Sequence, residues 1–223
     1  MTSSSGSTED VLSAQGHQWE KTYSEDPFLY GENPSYSALK AANLFRTEGI
    51  TKILELGCGH GRDALYFAQN GFTVHAVDNS KTAIQTLIQR ANAIGVSDHL
   101  KATRHDVREP LSFDNNAFDG CYSHMLYCMA LTTSQLQSLS QEIKRVLKPN
   151  GLNIYTARTT NDPHYGKGLH RGEDMYEVDG FIVNFFSPEK IILLAEGFKI
   201  LSVEQFAEGD LPRNLALVTL RKP

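Results

Sequence analysis

The chain has 223 residues, 40% of them hydrophobic, and a formal net charge of −5. That length supports one domain with a substantial core, and the mild acidity argues against a nucleic-acid backbone as the main partner. Its three cysteines show no CxxC spacing and no even framework, which excludes a disulfide scaffold and predicts reduced thiols in a cytoplasmic protein; no apolar run is long enough to cross a bilayer.

Residues 1–15 read as a flexible tail, because Met1 to Asp10 is rich in Ser and Thr and lacks the apolar stretch of a signal peptide. Residues 16–223 read as a single domain. Within 16–34, Trp19, Tyr23, Phe28 and Tyr30 stand among polar residues. That is too aromatic for a free tail, and a helix plus a loop folded over the body is expected. Pro34-Ser35 opens a helix through Phe45. A strand over 52–56 follows, then a helix from Asp63 to Gln69 stopped by Asn70-Gly71. The second strand ends at Asp78. Ser80 caps a helix with Ala83, Ile84, Leu87, Ile88 and Ala91 at helical spacing. Strands are expected over 100–104 and 117–123, with a strongly periodic helix over 133–147. Lys148-Pro149-Asn150-Gly151 turns the chain into a strand over 152–157. Residues 158–180 are polar, carry several glycines and show no period, so they read as a long functional loop. Ser187-Pro188-Glu189 opens the last helix. Strands over 200–206 and 214–220 close the chain as a hairpin, and Asp114 and Asp119 read as part of a solvated loop. The pattern predicts an α/β fold: a doubly wound, mostly parallel seven-stranded sheet with helices on both faces and a C-terminal antiparallel hairpin.

The most informative stretch is Ile53-Leu-Glu55-Leu-Gly57-Cys58-Gly59-His60-Gly61-Arg62-Asp63. An apolar strand ends in an acid and breaks into a loop with glycine at every second position. Glycine there permits positive φ and close approach of a ligand. Asp78, at the end of the second strand, suits the two hydroxyls of a ribose. Together these features predict a nucleoside-cofactor site. An NAD-dependent oxidoreductase is the rival, but its G-x-G-x-x-G fingerprint needs glycine where Arg62 stands.

Glu55 to Gly61, Asp78, Asp106 after the third strand, and the Lys148-Pro-Asn-Gly151 turn resemble the class I (Rossmann-like) S-adenosylmethionine-dependent methyltransferases. The resemblance covers the chain from about residue 35 to the end. Within that family the aromatic start, Gly-Cys-Gly-x-Gly-Arg-Asp and the later Asn-Gly-Phe-x-Val are most similar to the small-molecule branch of tellurite-resistance and thiopurine methyltransferases. The resemblance implies that Gly57, Cys58 and Gly59 pass the methionine part of the cofactor and that Glu55 orients the loop. It further implies Arg62 on the methionine carboxylate, Asp78 with neighbouring Asn79 at the ribose, Asp106 and Val107 at the adenine, and Ser123 facing methyl transfer. S-adenosylhomocysteine would be the product.

For the acceptor, His124 follows the fourth strand at the mouth of the sheet and is the base candidate. Arg158, after the fifth strand, is placed to hold an anionic group. His164 and Tyr165 in the 158–180 loop, with Tyr23, Phe28 and Tyr30 from the N-terminus, are the further substrate candidates, and both segments are expected to act as lids. The plainer readings are pocket wall for His124, a solvated arginine for Arg158 and core packing for Trp19. No metal is expected. The expected activity is methyl transfer to a small molecule bearing a thiol, a chalcogen oxyanion or a nucleophilic oxygen or nitrogen, with no nucleic-acid or membrane partner. A non-catalytic S-adenosylmethionine-binding protein is the alternative.

Overall fold

The computed structural model describes residues 8–26, 29–209 and 213–223. Seven strands form one sheet: β1 (Lys52–Leu56), β2 (Thr73–Asp78), β3 (Leu100–Arg104), β4 (Phe118–Ser123), β5 (Leu147–Arg158), β9 (Lys199–Glu208) and β10 (Arg213–Arg221). Their order is β3-β2-β1-β4-β5-β10-β9. The first five are parallel, and β10 runs antiparallel to both β5 and β9. The expected doubly wound sheet with its antiparallel hairpin is therefore present.

Adjacent residues of β1 serve opposite faces. Ile53 packs in a cluster with Phe45, Phe67, Phe72 and Leu87, beneath α2 (Tyr36–Thr47), α3 (Arg62–Gln69) and α4 (Lys81–Ala93). Leu54 packs in a second cluster with Leu136, Leu139, Ile143 and Leu194, beneath α5 (Thr133–Val146) and α6 (Pro188–Leu194). A strand covered on both faces is largely apolar, and Ile53, Leu54 and Leu56 are each wholly buried. The direction of strand order reverses between β1 and β4, so a crevice opens at the carboxyl ends of these strands.

The structure corrects three expectations. First, the tail boundary at residue 15 does not hold, because helix α1 starts at Thr8 and runs to Glu25. Leu12 explains this: it is buried with Ala130, Met175 and Ile182. Second, the 158–180 loop is partly ordered into strands. A separate three-stranded sheet comprises β6 (Leu169–His170), β7 (Met175–Val178) and β8 (Phe181–Asn184). Asp179 and Gly180 join β7 to β8 with φ of 52° and 81°, the positive pair that a two-residue hairpin turn requires. Third, Asp119 is not loop surface. It lies on β4, accepts from the backbone of Thr51 and Lys52 at 3.3 and 2.8 Å, and pairs with Lys148.

Candidate functional site

The glycine loop is fixed by backbone bonds before any side chain acts. Gly57 and Cys58 both donate to the Val77 carbonyl, at 2.8 and 3.1 Å, which ties the loop to the end of β2. Gly57, Gly59 and Gly61 all have positive φ. A Cβ on Gly61 would stand 2.1 Å from Leu87 Cδ1, so this glycine is required for α3 to approach α4. Asp78 braces the loop from below. One carboxylate oxygen accepts from the Gly59 amide at 2.8 Å and the other from Ser80 at 2.9 Å. Burial pushes the Asp78 carboxyl up, against the pull of these amides.

One cavity of about 1090 Å³ runs from this loop across the crevice. Gly57, Cys58, Gly59, Arg62, Asp78, Asn79, Asp106 and Val107 line it. His124, Arg158, Tyr23 and Tyr30 also line it. Phe28 lies outside the described residues. Glu55 is buried behind the loop, with one carboxylate oxygen unpartnered; burial, then Asp63, pushes its carboxyl well above the usual range. Burial likewise pushes the Cys58 thiol up, so it is no ready nucleophile. Arg62 donates to the Tyr30 carbonyl and lies 3.3 Å from Asp63. Asp106 is clasped by Arg108 at 3.0 and 3.1 Å, and Arg108 outweighs burial to hold its carboxyl low.

Four candidates differ from expectation. Ser123 is buried beneath the strand end, its hydroxyl unpartnered, and is not on the cavity wall. His164 and Tyr165 are also off the wall. His164 Nδ1 contacts Arg158 and Asp162 at 2.8 and 3.2 Å, whereas Tyr165 donates to Asp174. Arg158 is no free anion holder. Its Nε and Nη2 meet both oxygens of Asp162 at 2.9 and 2.6 Å, and its guanidinium stacks over Phe185.

His124 lies in a polar cluster. Its Nε2 is 3.1 Å from Glu208, and its Nδ1 is 2.9 Å from Ser37 Oγ and 3.0 Å from Thr156 Oγ1. Sequence reading missed Glu208, Ser37, Thr156 and the cavity residue Arg213. Burial would raise the Glu208 carboxyl, but the bond from His124 and the charges of His124, Arg62 and Arg213 hold it low. No local motif marks Glu208, which meets His124 only because β9 and β10 fold back beside β5. Among the described residues, no group of three or more His, Cys, Asp or Glu side chains is arranged to hold a metal ion, and no helix is long and apolar enough to cross a membrane.

Helix α1 covers the cavity. Tyr23 presses its ring edge against His60, and its hydroxyl would be 2.8 Å from a Cβ on Gly59. Trp19 packs on Phe181 of β8 and lines the cavity. Glu20 accepts from the Thr82 hydroxyl at 2.6 Å, and Gln15 bonds both Gly180 and Ile182. One helix thus bridges the start of α4 and the small sheet.

Residues 53–151, the span from β1 through the turn inside β5, match the family model described as a methyltransferase domain. The fold is that of the class I, S-adenosylmethionine-dependent methyltransferases. An uncharacterized methyltransferase of Synechocystis sp. is 32% identical over 123 residues, 55% of this chain and 53% of that protein. The 1,6-didemethyltoxoflavin-N1-methyltransferase of Burkholderia thailandensis, solved with 1,6-didemethyltoxoflavin and S-adenosylhomocysteine, superposes with a TM-score of 0.71 at 18% identity, over 100% of this chain and 93% of that one. TehB from Haemophilus influenzae gives 0.68 at 16% identity, over 92% and 67%. These likenesses concern the fold. The chain spans between 19% and 53% of the length of the curated relatives it matches.

Proposed function

We propose that this protein transfers a methyl group from S-adenosylmethionine to a small molecule bound at the His124–Glu208 end of the cavity. The observation that carries the reading is the single cavity joining the glycine loop to that pair. Its volume exceeds the roughly 300–1,000 Å³ of ordinary ligand pockets, which supports a nucleoside cofactor and a second small molecule together. The residues at the loop end fit the cofactor. Gly57, Gly59 and Arg62 lie on the wall, each Asp78 oxygen accepts a single backbone amide and keeps a lone pair for a further donor, and the buried His60 Nε2 on the wall has no partner. Asp78 would take the ribose hydroxyls, Asp106 and Val107 the adenine, and Arg62 the methionine carboxylate. The cofactor supplies an activated methyl on a sulfonium. The protein's own contribution is to hold the acceptor in line, exclude water beneath α1 and accept a hydrogen.

The acceptor end favours a neutral nucleophile carrying N–H, O–H or S–H over an oxyanion. Arg158, on which an anion would rest, is already clasped by Asp162, and Glu208 adds a carboxylate to the wall. Calorimetric titration with S-adenosylhomocysteine, with NAD as comparison, tests the cofactor half. Binding of the former alone supports the reading, and binding of NAD alone overturns it. Turnover of S-adenosylmethionine with a panel of amines, phenols, thiols and selenite tests the acceptor half. Cofactor binding with no turnover on any of them would favour a non-catalytic binding protein.

A further inference from the structure

Five arginines line the cavity: Arg62, Arg90, Arg108, Arg158 and Arg213. Four of them already hold acceptors within the protein. Arg62 donates to the Tyr30 carbonyl at 3.1 Å and Arg90 to the His60 carbonyl at 3.3 Å, whereas Arg108 clasps Asp106 and Arg158 clasps Asp162. Arg213, half-buried at the start of β10, differs from them. Among the described residues its guanidinium makes no hydrogen bond and no ion pair. A partly enclosed cation rich in N–H donors is costly without acceptors, so a cavity wall that carries one suits a ligand that brings them.

The sheet register assigns this arginine to the acceptor end. Arg213 stands directly opposite Glu208 in the β9–β10 ladder, and directly opposed residues of an antiparallel pair share one face of the sheet. Both side chains line the cavity. They form no ion pair with each other; Glu208 Oε2 instead meets His124 Nε2 at 3.1 Å. The Arg213 charge is felt across this end. Burial raises the Tyr30 phenol, and Arg213 exerts the largest opposing pull. Against burial of Glu208, the same charge adds to those of His124 and Arg62 in holding that carboxyl low. The acceptor end therefore sets one unpaired cation beside one carboxylate. A simple anion there would be opposed by Glu208 and a simple cation by Arg213, whereas a molecule bearing both charges complements both.

We propose that the methyl acceptor is a small amine that also carries a carboxylate, with the carboxylate held by Arg213 and the amine placed at His124 and Glu208. This rests on the methyl-transfer reading and narrows its substrate class. A guanidinium presents paired N–H donors that match the two oxygens of a carboxylate. The anionic group is a handle and not the nucleophile, so the reacting atom is still one that bears N–H. The ammonium gives one proton to the His124–Glu208 pair. Its freed lone pair forms the new N–C bond, and the electrons of the broken S–C bond stay on sulfur. Arg213 is a specificity residue in this scheme. By fixing the far end of the acceptor it holds the nitrogen in line with the methyl group.

The test titrates protein saturated with S-adenosylhomocysteine with glycine, β-alanine, 4-aminobutyrate and phenylalanine, and with the methyl ester of each. Binding is read from the Arg213 Nε–Hε correlation of nitrogen-15-labelled protein, identified by its loss in Arg213→Gln. At least one acid should shift that signal and bind about tenfold or more tightly than its ester, the scale of one charge-assisted contact. By calorimetry, Arg213→Gln should bind the acid and ester of that pair alike, and Arg213→Lys should retain part of the preference. Arg213 has no bonded partner among the described residues, so neither substitution strands one. Acids and esters that bind equally, or a signal that no acid moves, would overturn the proposal. So would an Arg213 signal fully shifted by S-adenosylhomocysteine alone, with that affinity lost in Arg213→Gln, because the arginine would then hold the cofactor's own carboxylate. Failure of the methyl-transfer reading looks different. The wild type would not bind S-adenosylhomocysteine, and the acid-over-ester preference, measured without it, would still decide the role of Arg213.

Discussion

Asp78→Asn is the sharpest perturbation of the cofactor end. The carboxylate accepts one backbone amide on each oxygen, at 2.8 Å from Gly59 and 2.9 Å from Ser80. An asparagine has one acceptor oxygen, so it keeps one of these bonds and turns an N–H towards the other donor. A lost bond to a charged group is worth about 1.5–3 kcal/mol, and a buried donor left facing a donor adds to it. Removal of a buried charge offsets part of that loss, because burial raises the Asp78 carboxyl. A net stability loss of about 1–2 kcal/mol is expected on these magnitudes, read by urea unfolding. The cost to cofactor binding should be larger, because the ribose would lose half of a two-point acceptor held beside a loosened Gly59. About 2–3 kcal/mol, or roughly 30- to 150-fold in affinity for S-adenosylhomocysteine, is expected by calorimetry. The pH dependence has a definite sign. A carboxyl raised by the fold contributes stability that is present below its ordinary value of 3.8 and is lost as pH rises through the raised value. The stability gap between wild type and variant should therefore narrow as pH rises through that window. A folded variant that binds S-adenosylhomocysteine within about twofold of wild type would refute the ribose assignment.

Three further outcomes are expected. Gly61→Ala combines a φ of +83° with a methyl 2.1 Å from Leu87 Cδ1; about 1–2 kcal/mol of backbone strain plus about 1–3 of overpacking should appear in unfolding curves, and a change under about 0.5 would show that α3 and α4 separate freely. Asp162→Asn strips the partner from buried Arg158 and should cost about 3–5 kcal/mol. Arg158 and two backbone amides outweigh burial to hold the Asp162 carboxyl low, so its stabilisation is present above its ordinary value of 3.8 and is lost as pH falls through the depressed one; the variant's acid limb should be flatter, and an unchanged limb would remove the pair from the account. Glu20→Gln weakens the tether of α1 to Thr82, so S-adenosylhomocysteine should leave several-fold faster in stopped-flow measurements, and an unchanged rate would mean that α1 does not gate the cavity.

The first two strands were legible because each carries a mostly apolar run and an acid at or near its crevice end. Ile53 to Glu55 and Val74 to Asp78 carry both signals within a few residues. The cofactor end was legible for the same reason, since Gly57, Gly59, Gly61 and Asp78 lie on two neighbouring strand ends. The Asp179-Gly180 hairpin was also present in the sequence, between Met175-Tyr-Glu-Val and Phe181-Ile-Val-Asn, but the glycines on either side masked the alternation. The buried face of α1 gave a weaker signal. Val11 and Leu12 form only a two-residue apolar step in a polar stretch, and the partners Met175 and Ile182 come from the far half of the chain.

The acceptor end resists such reading for a geometric reason. His124 directly follows β4, Ser37 comes from α2, Thr156 from β5 and Glu208 from the last residue of β9, so no two of its polar partners are local in the chain. Glu208 reaches His124 only because β10 pairs with β5 along Leu215–Arg158, which carries β9 and its end to the same side of the sheet. The same topology explains why Arg158 looked available from sequence and is not. Asp162, four residues on, turns back onto it and also accepts the Asn214 amide at 2.9 Å, so the arginine stitches the start of the loop to β10. A cation that fastens two strands together has little left to offer a substrate. The residue that varies the chemistry at this mouth is therefore Glu208, and acceptor selectivity should follow substitutions there more closely than substitutions at Arg158. Turnover by Glu208→Gln across the amine, phenol and thiol panel should fall most for acceptors whose N–H or O–H must be lost and least for thiols that ionise unaided. An equal fall across all three would mean that Glu208 shapes the site without receiving the hydrogen.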